Sequence, residues 1–341
     1  MKLSQLGEFG LIDQIRRAVH QGRGVRLGIG DDAAWLAKPT ASFLVTADLL
    51  LEGIHFNLQW TTFVDLGYKS LAVNLSDIAA MGGVPAYAVV SLGIPPYVRA
   101  EKIAQFYRGM NRLARSYDVS IVGGDTSAAQ SLLVSVALLG HAQHRPISRK
   151  GAKIGDDIYV TGTLGDAALA LELLKNNSPA LRRPAAAILL RRHHRPTPRC
   201  RTGYLLARQK IATAMIDVSD GLLQDLGHLC KAGGIGAILR EENLPRSRSY
   251  HMLAGDSGSL WALSGGEDYE LLFCARRKRR QAIRTLAERI GVCITRIGVC
   301  VRKEEGITVL NRSGRAIRQP PAGYDHFRAA GVRSFDQRRN E

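Results

Sequence analysis

The acidic residues of this chain gather in short, largely glycine-rich turns, and that placement constrains the fold more than any other feature of the sequence. Five segments show it: Gly28-Ile29-Gly30-Asp31-Asp32, Thr46-Ala47-Asp48, Ser76-Asp77, Gly123-Gly124-Asp125 and Asp217-Val218-Ser219-Asp220-Gly221. Glycine lets a backbone come close to a ligand, and short carboxylates beside it supply the oxygen donors that hard Mg²⁺ prefers. The clustering stands out because acids are scarce: 30 Asp and Glu against 47 Lys and Arg give a formal net charge of +17.

At 341 residues with 45% hydrophobic content, the chain is long enough for two α/β domains. Periodicity predicts strands over 42–47, 86–93, 120–122, 132–141, 157–162 and 215–217. It predicts helices over 63–81, 99–117, 165–174 and 180–192, and a further helix from the Ser219-Asp220-Gly221 turn to about 232. Strand and helix alternate again over 261–318, and the Arg- and Gln-rich tail after Ala330 is expected to be disordered. A polar stretch at 151–157 marks the boundary between the two halves.

The five cysteines, Cys200, Cys230, Cys274, Cys293 and Cys300, show no CxxC spacing and mostly sit in apolar runs, so they read as reduced core thiols. The N-terminus lacks an apolar signal core, and the longest apolar run, near 132–139, is too short to span a bilayer. A cytoplasmic protein without membrane contact is expected. Basic runs at 182–201 and 276–280 lack interleaved aromatics or a recognition motif and read as solvated faces, with nucleic-acid binding as the rival class. His193-His194 reads as a surface pair, because adjacent helical residues do not face one metal.

Gly28-Ile29-Gly30-Asp31-Asp32-Ala33 superficially matches a dinucleotide GxGxxA, yet its two carboxylates would repel a bare pyrophosphate. No GxxxxGK[ST] and no protein-kinase motif set is present. Phosphate binding therefore has to run through cations. On the predicted helix 63–81, Asp77 shares a face with Asn74 and with Lys69 or Ser70 and emerges near the helix end. Asp217 and Asp220 converge if Ser219 caps the following helix, and in that arrangement the Ser219 side chain and neighbouring N–H groups meet an anion; simple helix capping is the alternative.

Several stretches resemble thiamine-monophosphate kinases: GIGDDAA at 28–34, the Thr46–Phe56 segment, YKSLAVNLSDIAAMGG at 68–83, VGGDTS at 122–127, SRKGAKIGDDIYVTG at 148–162, IDVSDGLLQDLGHL at 216–229, SGGEDYEL at 264–271 and GYDHF at 323–327. The resemblance implies an α/β (α+β) chain with the two-domain fold of aminoimidazole ribonucleotide synthetase. An N-terminal domain (1–147) would bind ATP and Mg²⁺ and pair its sheet with a second copy in a homodimer, and a C-terminal α+β domain (148–330) would follow. It implies ATP-dependent phosphorylation of thiamine monophosphate to thiamine diphosphate by direct transfer. It assigns Asp32, Thr46, Ala47 through its carbonyl, Asp48, Asp77, Asp125, Asp217 and Asp220 to several Mg²⁺ ions. Tyr117, Gly124, Asp125, Arg149 and Ser219 fall to ATP, and His55, Glu267 and Tyr324 to the thiamine phosphate. Other enzymes of that fold fit less well: selenophosphate synthetase wants a reactive Cys or selenocysteine in an N-terminal glycine-rich loop, and the first cysteine here is Cys200.

Overall fold

The computed structural model describes residues 14–20, 22, 25–27, 35–36, 42–255 and 258–317, with backbone only at 26, 27, 35 and 36. A short helical segment, α1, covers 14–18, and β1 (Val25–Leu27) pairs antiparallel with β2 (Trp35–Leu36). Asp32 and Tyr324, both expected in the site, lie outside the described residues, as does the tail after Ala330.

The first half builds a four-stranded sheet in the order β3-β6-β4-β5, from β3 (Ser42–Leu51), β4 (Val84–Ile94), β5 (Ser120–Ala128) and β6 (Leu133–Ala142). Only the β4–β5 pair is parallel, joined through a helical crossover. That helix is α3 (Ala100–Tyr117), which packs beside α2 (Phe63–Ala80). Thr62 starts α2 by accepting from the Asp65 N–H, and Met81-Gly82-Gly83 ends it.

α2 and α3 approach closely because each carries a glycine at the crossing. A Cβ at Gly67 would lie 1.9 Å from the Phe106 carbonyl oxygen, and one at Gly109 would lie 1.8 Å from that of Val64. On the other side of the sheet, β3 turns Phe43, Val45 and Leu49 outward, with Val45 69% exposed.

The second half builds a six-stranded sheet in the order β12-β9-β11-β7-β10-β8. Its strands are β7 (Asp157–Thr161), β8 (Ala212–Asp217), β9 (Gly236–Arg240), β10 (Leu271–Ala275), β11 (Ile294–Val301) and β12 (Ile307–Leu310). Its helices are α4 (Asp166–Lys175), α5 (Pro184–His194), α6 (Cys200–Arg208), α7 (Leu222–Gly233), α8 (Arg248–Leu253), α9 (Leu260–Ser264) and α10 (Arg280–Ile290). The central strands are apolar on both faces, and period-two alternation sorts them. Leu271, Phe273 and Ala275 join the core that includes α2, whereas Leu272 and Cys274 join a second core with α4, α5 and α7. α2 is therefore buried from both sides, between its own sheet and the layer of α6 and β8.

The structure extends and corrects the pattern reading at specific places. β5 runs on through Gly123-Gly124 to Ala128, since pairing with β4 outweighs the low strand preference of glycine. The helix expected over 180–192 breaks into a 3₁₀ turn, Pro179–Arg182, and α5, because Pro184 can only begin a helix. α6 and β9 are additional to the elements that periodicity predicts. Four of the cysteines are buried thiols, but Cys293 is exposed. Among the described residues no helix is long and apolar enough to cross a membrane.

Gly67→Ala or Gly109→Ala has to push α2 and α3 apart, and each is expected to destabilise the chain by about 1–3 kcal/mol. Denaturant unfolding checks this against Gly123→Ala, whose Cβ would meet nothing within 4 Å.

Candidate active site

Three elements deliver carboxylates to the junction of the two sheets. Along β3, alternation turns Thr46 and Asp48 inward and sends the Ala47 side chain to the face that exposes Val45 and Leu49. The last turns of α2 bring Ser76 and Asp77, and the Thr46 hydroxyl donates to Asp77 Oδ2. β8 ends in Asp217, whose Oδ2 accepts from Ser76 Oγ at 2.7 Å.

Burial makes ionisation of these acids unfavourable, and acid neighbours add to it for Asp48 and Asp217. Burial, with Asp77 and Asp217 alongside, pushes Asp48 up to about 7. Burial and Asp77 do the same to Asp217, also to about 7. Asp77 is raised by burial against the opposing pull of Thr46 and Arg149. A cluster of this kind, all hard oxygen donors with excess negative charge, fits a divalent cation such as Mg²⁺. Among the described residues no three of its members already close around a single point, so it stands as neighbouring acids rather than a finished cage.

The turn after β8 is zipped to the segment that enters β10. Glu267 N–H donates to Ser219 O, Tyr269 N–H to Val218 O and Val218 N–H to Glu270 O, each at 2.8 Å. Gly266 is required here, as its Cβ would lie 2.4 Å from Ser219 O. Ser219 does not cap the next helix, which corrects the expected anion-facing geometry. The N-cap is Gly221, and the N–H groups of Ser219, Asp220 and Gly221 all donate to Asp225 Oδ2 at 3.1 Å. An internal carboxylate thus takes the donors that a free anion would have used. Burial, then Asp217 and Asp220, raises Asp225 to about 8.

Glu267 behaves oppositely. It holds a left-handed backbone at φ +69°, and its carboxylate meets Lys69 Nζ at 2.7 Å and His193 Nδ1 at 3.0 Å. Burial alone would raise it, but these two partners hold it well below the usual carboxylate range. His193 is therefore buried and engaged, not at the surface as expected, and burial lowers it. The basic run around it is similarly committed. Arg192 reaches Asp166 at 3.1 Å, Arg195 pairs with Asp65, and Arg199 grips Glu270 with two bonds of 2.6 and 2.5 Å. Arg280 of the second run forks onto Asp157 at 2.6 and 2.8 Å. Those arginines neutralise buried or half-buried acids of other elements, which corrects the expectation of solvated faces.

The remaining candidates sit around this junction in different ways. Asp125 and Arg149 are exposed, and a Cβ at Gly124 would lie 1.8 Å from Val90 O. Tyr117 donates its hydroxyl to Pro198 O at 2.9 Å, and His55 accepts the Leu51 N–H at Nδ1. Asp220 accepts from Gln224 at 3.1 Å.

Residues 30–142 match the family model for the AIR synthase related protein N-terminal domain, and 153–311 match that for its C-terminal domain. A thiamine-monophosphate kinase of Salmonella typhimurium is 41% identical over 94% of this chain and 98% of its own length. The chain belongs to the thiamine-monophosphate kinase family. The family's thiamine-monophosphate kinase from Stenotrophomonas maltophilia K279a has a similar structure, with a TM-score of 0.82 at 40% identity over 91% of this chain and 98% of that one. AaThiL complexed with AMPPCP and TMP gives 0.75 at 34%, over 96% of this chain and 99% of that one. As a thiamine-monophosphate kinase family member the chain is an enzyme, a kinase on the two-domain AIR synthase related fold.

Within the candidate site, Lys69, His193, Tyr269 and Asp225 are residues to which sequence pattern assigns no role. Tyr269 has φ +51°, and its phenol is raised by burial and by Glu267, Asp48, Asp217 and Asp77, which places it against the acid cluster. Its adjacency to Glu267 was the available signal. For Asp225 the signal was the Asp at the fourth position of the helix that follows Gly221.

Asp48 and Asp217 titrate near 7 and Asp225 near 8, instead of near 3.8. In that range the metal-free folded chain holds protons that the unfolded chain has released, so stability falls as pH rises. The lowered histidines act in the opposite sense only below 6.5. Thermal melts in EDTA are expected to drop between pH 6.5 and 8, and Asp48→Asn to flatten that drop; a flat wild-type profile contradicts the assignment.

Proposed function

We propose that this chain transfers the γ-phosphoryl group of ATP to thiamine monophosphate, yielding thiamine diphosphate and ADP. The carrying observation is the buried trio Asp48, Asp77 and Asp217 at the sheet junction, which has no ion-pair partner within 4.0 Å among the described residues, in a family whose solved relative bears AMPPCP and TMP. The acceptor is a phosphate oxygen, already ionised at neutral pH, so no general base is required and transfer is direct.

The chain's own task is to hold two anionic substrates in line and keep their charges from separating them. Asp32, Thr46, the Ala47 carbonyl, Asp48, Asp77, Asp125, Asp217 and Asp220 are the residues that would hold Mg²⁺. Bound there, Mg²⁺ supplies charge neutralisation of the phosphates. Arg149, exposed beside the cluster, forks onto a phosphate of ATP. Gly124 leaves room beside β4, and Ser219 contributes its side chain, since its N–H is committed to Asp225. Tyr117 borders the nucleotide. Glu267, kept ionised by Lys69 and His193, accepts from the aminopyrimidine, with His55 and Tyr324 completing the acceptor side.

The same reading makes the chain a cytoplasmic homodimer, with its domains divided at 147/148. Phe43, Val45 and Leu49 on the open face of β3 support pairing with a second copy, because a contiguous apolar face in water favours burial. A nucleic-acid partner is disfavoured, as Arg192, Arg195, Arg199 and Arg280 already serve internal acids.

Purified protein with Mg-ATP is expected to convert thiamine monophosphate to thiamine diphosphate and to leave free thiamine unphosphorylated. Asp48→Asn and Asp77→Asn should each lower turnover about a hundredfold or more, ~3 kcal/mol of transition-state stabilisation, while the metal-free fold stays as stable or gains. Turnover of free thiamine, or near-normal rates in both variants at limiting Mg²⁺, would sink the reading. For the assembly, light scattering should give twice the chain mass, and Val45→Glu should give one.

A further inference from the structure

α6 has two faces with different duties. Its inner side packs on α2: Cys200 Sγ donates to Leu75 O, and a Cβ at Gly203 would lie 2.1 Å from Ala79 O. Arg201, Tyr204, Leu205 and Arg208 therefore share the outer side, at helical spacing. Together with Gln209 and with Arg289 from α10 they line a cavity of about 500 Å³. That is within the range of small-molecule sites, about 300–1,000 Å³. None of its lining residues belongs to the acid cluster.

The charge of this cavity is uncompensated. Its lining holds three guanidinium groups from two helices and no carboxylate. Arg192, Arg195, Arg199 and Arg280 each grip an acid, whereas Arg201, Arg208 and Arg289 are exposed and have no acidic partner among the described residues. The aromatic wall is anchored, since the Tyr204 hydroxyl donates to Gln143 Oε1 at 3.1 Å and its ring lies 5.7 Å from that of His144. Arginine forks match phosphate oxygens geometrically, and several like charges facing one concavity favour a multiply charged anion.

We infer that the cleft between α6 and α10 is a second anion site, taking two or more linked phosphates, free or esterified to a nucleoside whose base lies on Tyr204. Its concavity and volume suit a small polyanion rather than a duplex, which is met by an extended basic stripe. It differs from the acid cluster in kind. Arginines bind phosphate directly, whereas the cluster repels phosphate until a cation is present.

That contrast provides the test. The full chain is titrated calorimetrically with inorganic tripolyphosphate in EDTA, where the acid cluster attracts no anion. One binding event is expected, weakened at least about tenfold by combined Arg201→Gln, Arg208→Gln and Arg289→Gln and unchanged by Asp48→Asn. If the triple variant does not reproduce the wild-type melt, Arg289→Gln alone carries the comparison. ADP binding tighter than pyrophosphate, with the difference lost in Tyr204→Leu, assigns a nucleotide; equal binding assigns the phosphate chain. No binding without metal, binding that persists in the arginine variants, or equal competition by random duplex DNA overturns the proposal. The readout is binding without metal, so it is independent of whether the chain phosphorylates thiamine monophosphate.

Discussion

The burial of three neighbouring carboxylates, Asp48, Asp77 and Asp217, is the constraint around which the junction is built. Three carboxylates on β3, α2 and β8 would separate if their elements were free to move. They are held by hydrogen bonds that cross from element to element, Thr46 to Asp77 and Ser76 to Asp217, and by the burial of α2 between two layers. Burial first, and the neighbouring carboxylates second, raise Asp48 and Asp217 to about 7. A fold retains such charge only where a cation is to be met, or at a heavy loss of stability.

The same junction contains acids treated in the opposite way. Glu267 has Lys69 and His193, Glu270 has Arg199, and Asp166 has Arg192. Lys69, Arg192 and Arg199 settle those charges internally and tie α2, α4, α5 and the segment entering β10 to one another. Paired acids and unpaired acids thus divide one region into a frame and a site. Asp225 belongs to the frame, since its carboxylate fixes the backbone of the Ser219–Gly221 turn through three N–H bonds. Those bonds set the backbone that carries Asp217 and Asp220.

Much of the fold was legible in local pattern. The helix at 63–80, the crossover helix at 100–117 and the strand ending in Asp217 follow directly from period and turn residues. Misreadings arose where a distant partner decides. Gly123 and Gly124 look like a turn until β4 pairs with them, and residues 200–208 look like the end of a proline loop until α2 offers Gly203 a surface. His193 and the arginines beside it look solvated, because the acids that claim them, Asp65, Asp166, Glu267 and Glu270, lie up to 130 residues away in the chain.

The chemistry is written in local sequence: short acids next to glycines at strand and helix ends, no phosphate loop, no nucleophile–base pair, and a series of motifs in family order. Those properties are local and survive any arrangement of the chain. Tertiary structure alone decided which acids are neutralised and which are not, that the Ser219 N–H serves Asp225, and that Arg201, Arg208 and Arg289 meet across a cavity. The physical reason is that a charge's state depends on what packs against it, and here those neighbours come from elements far apart in sequence.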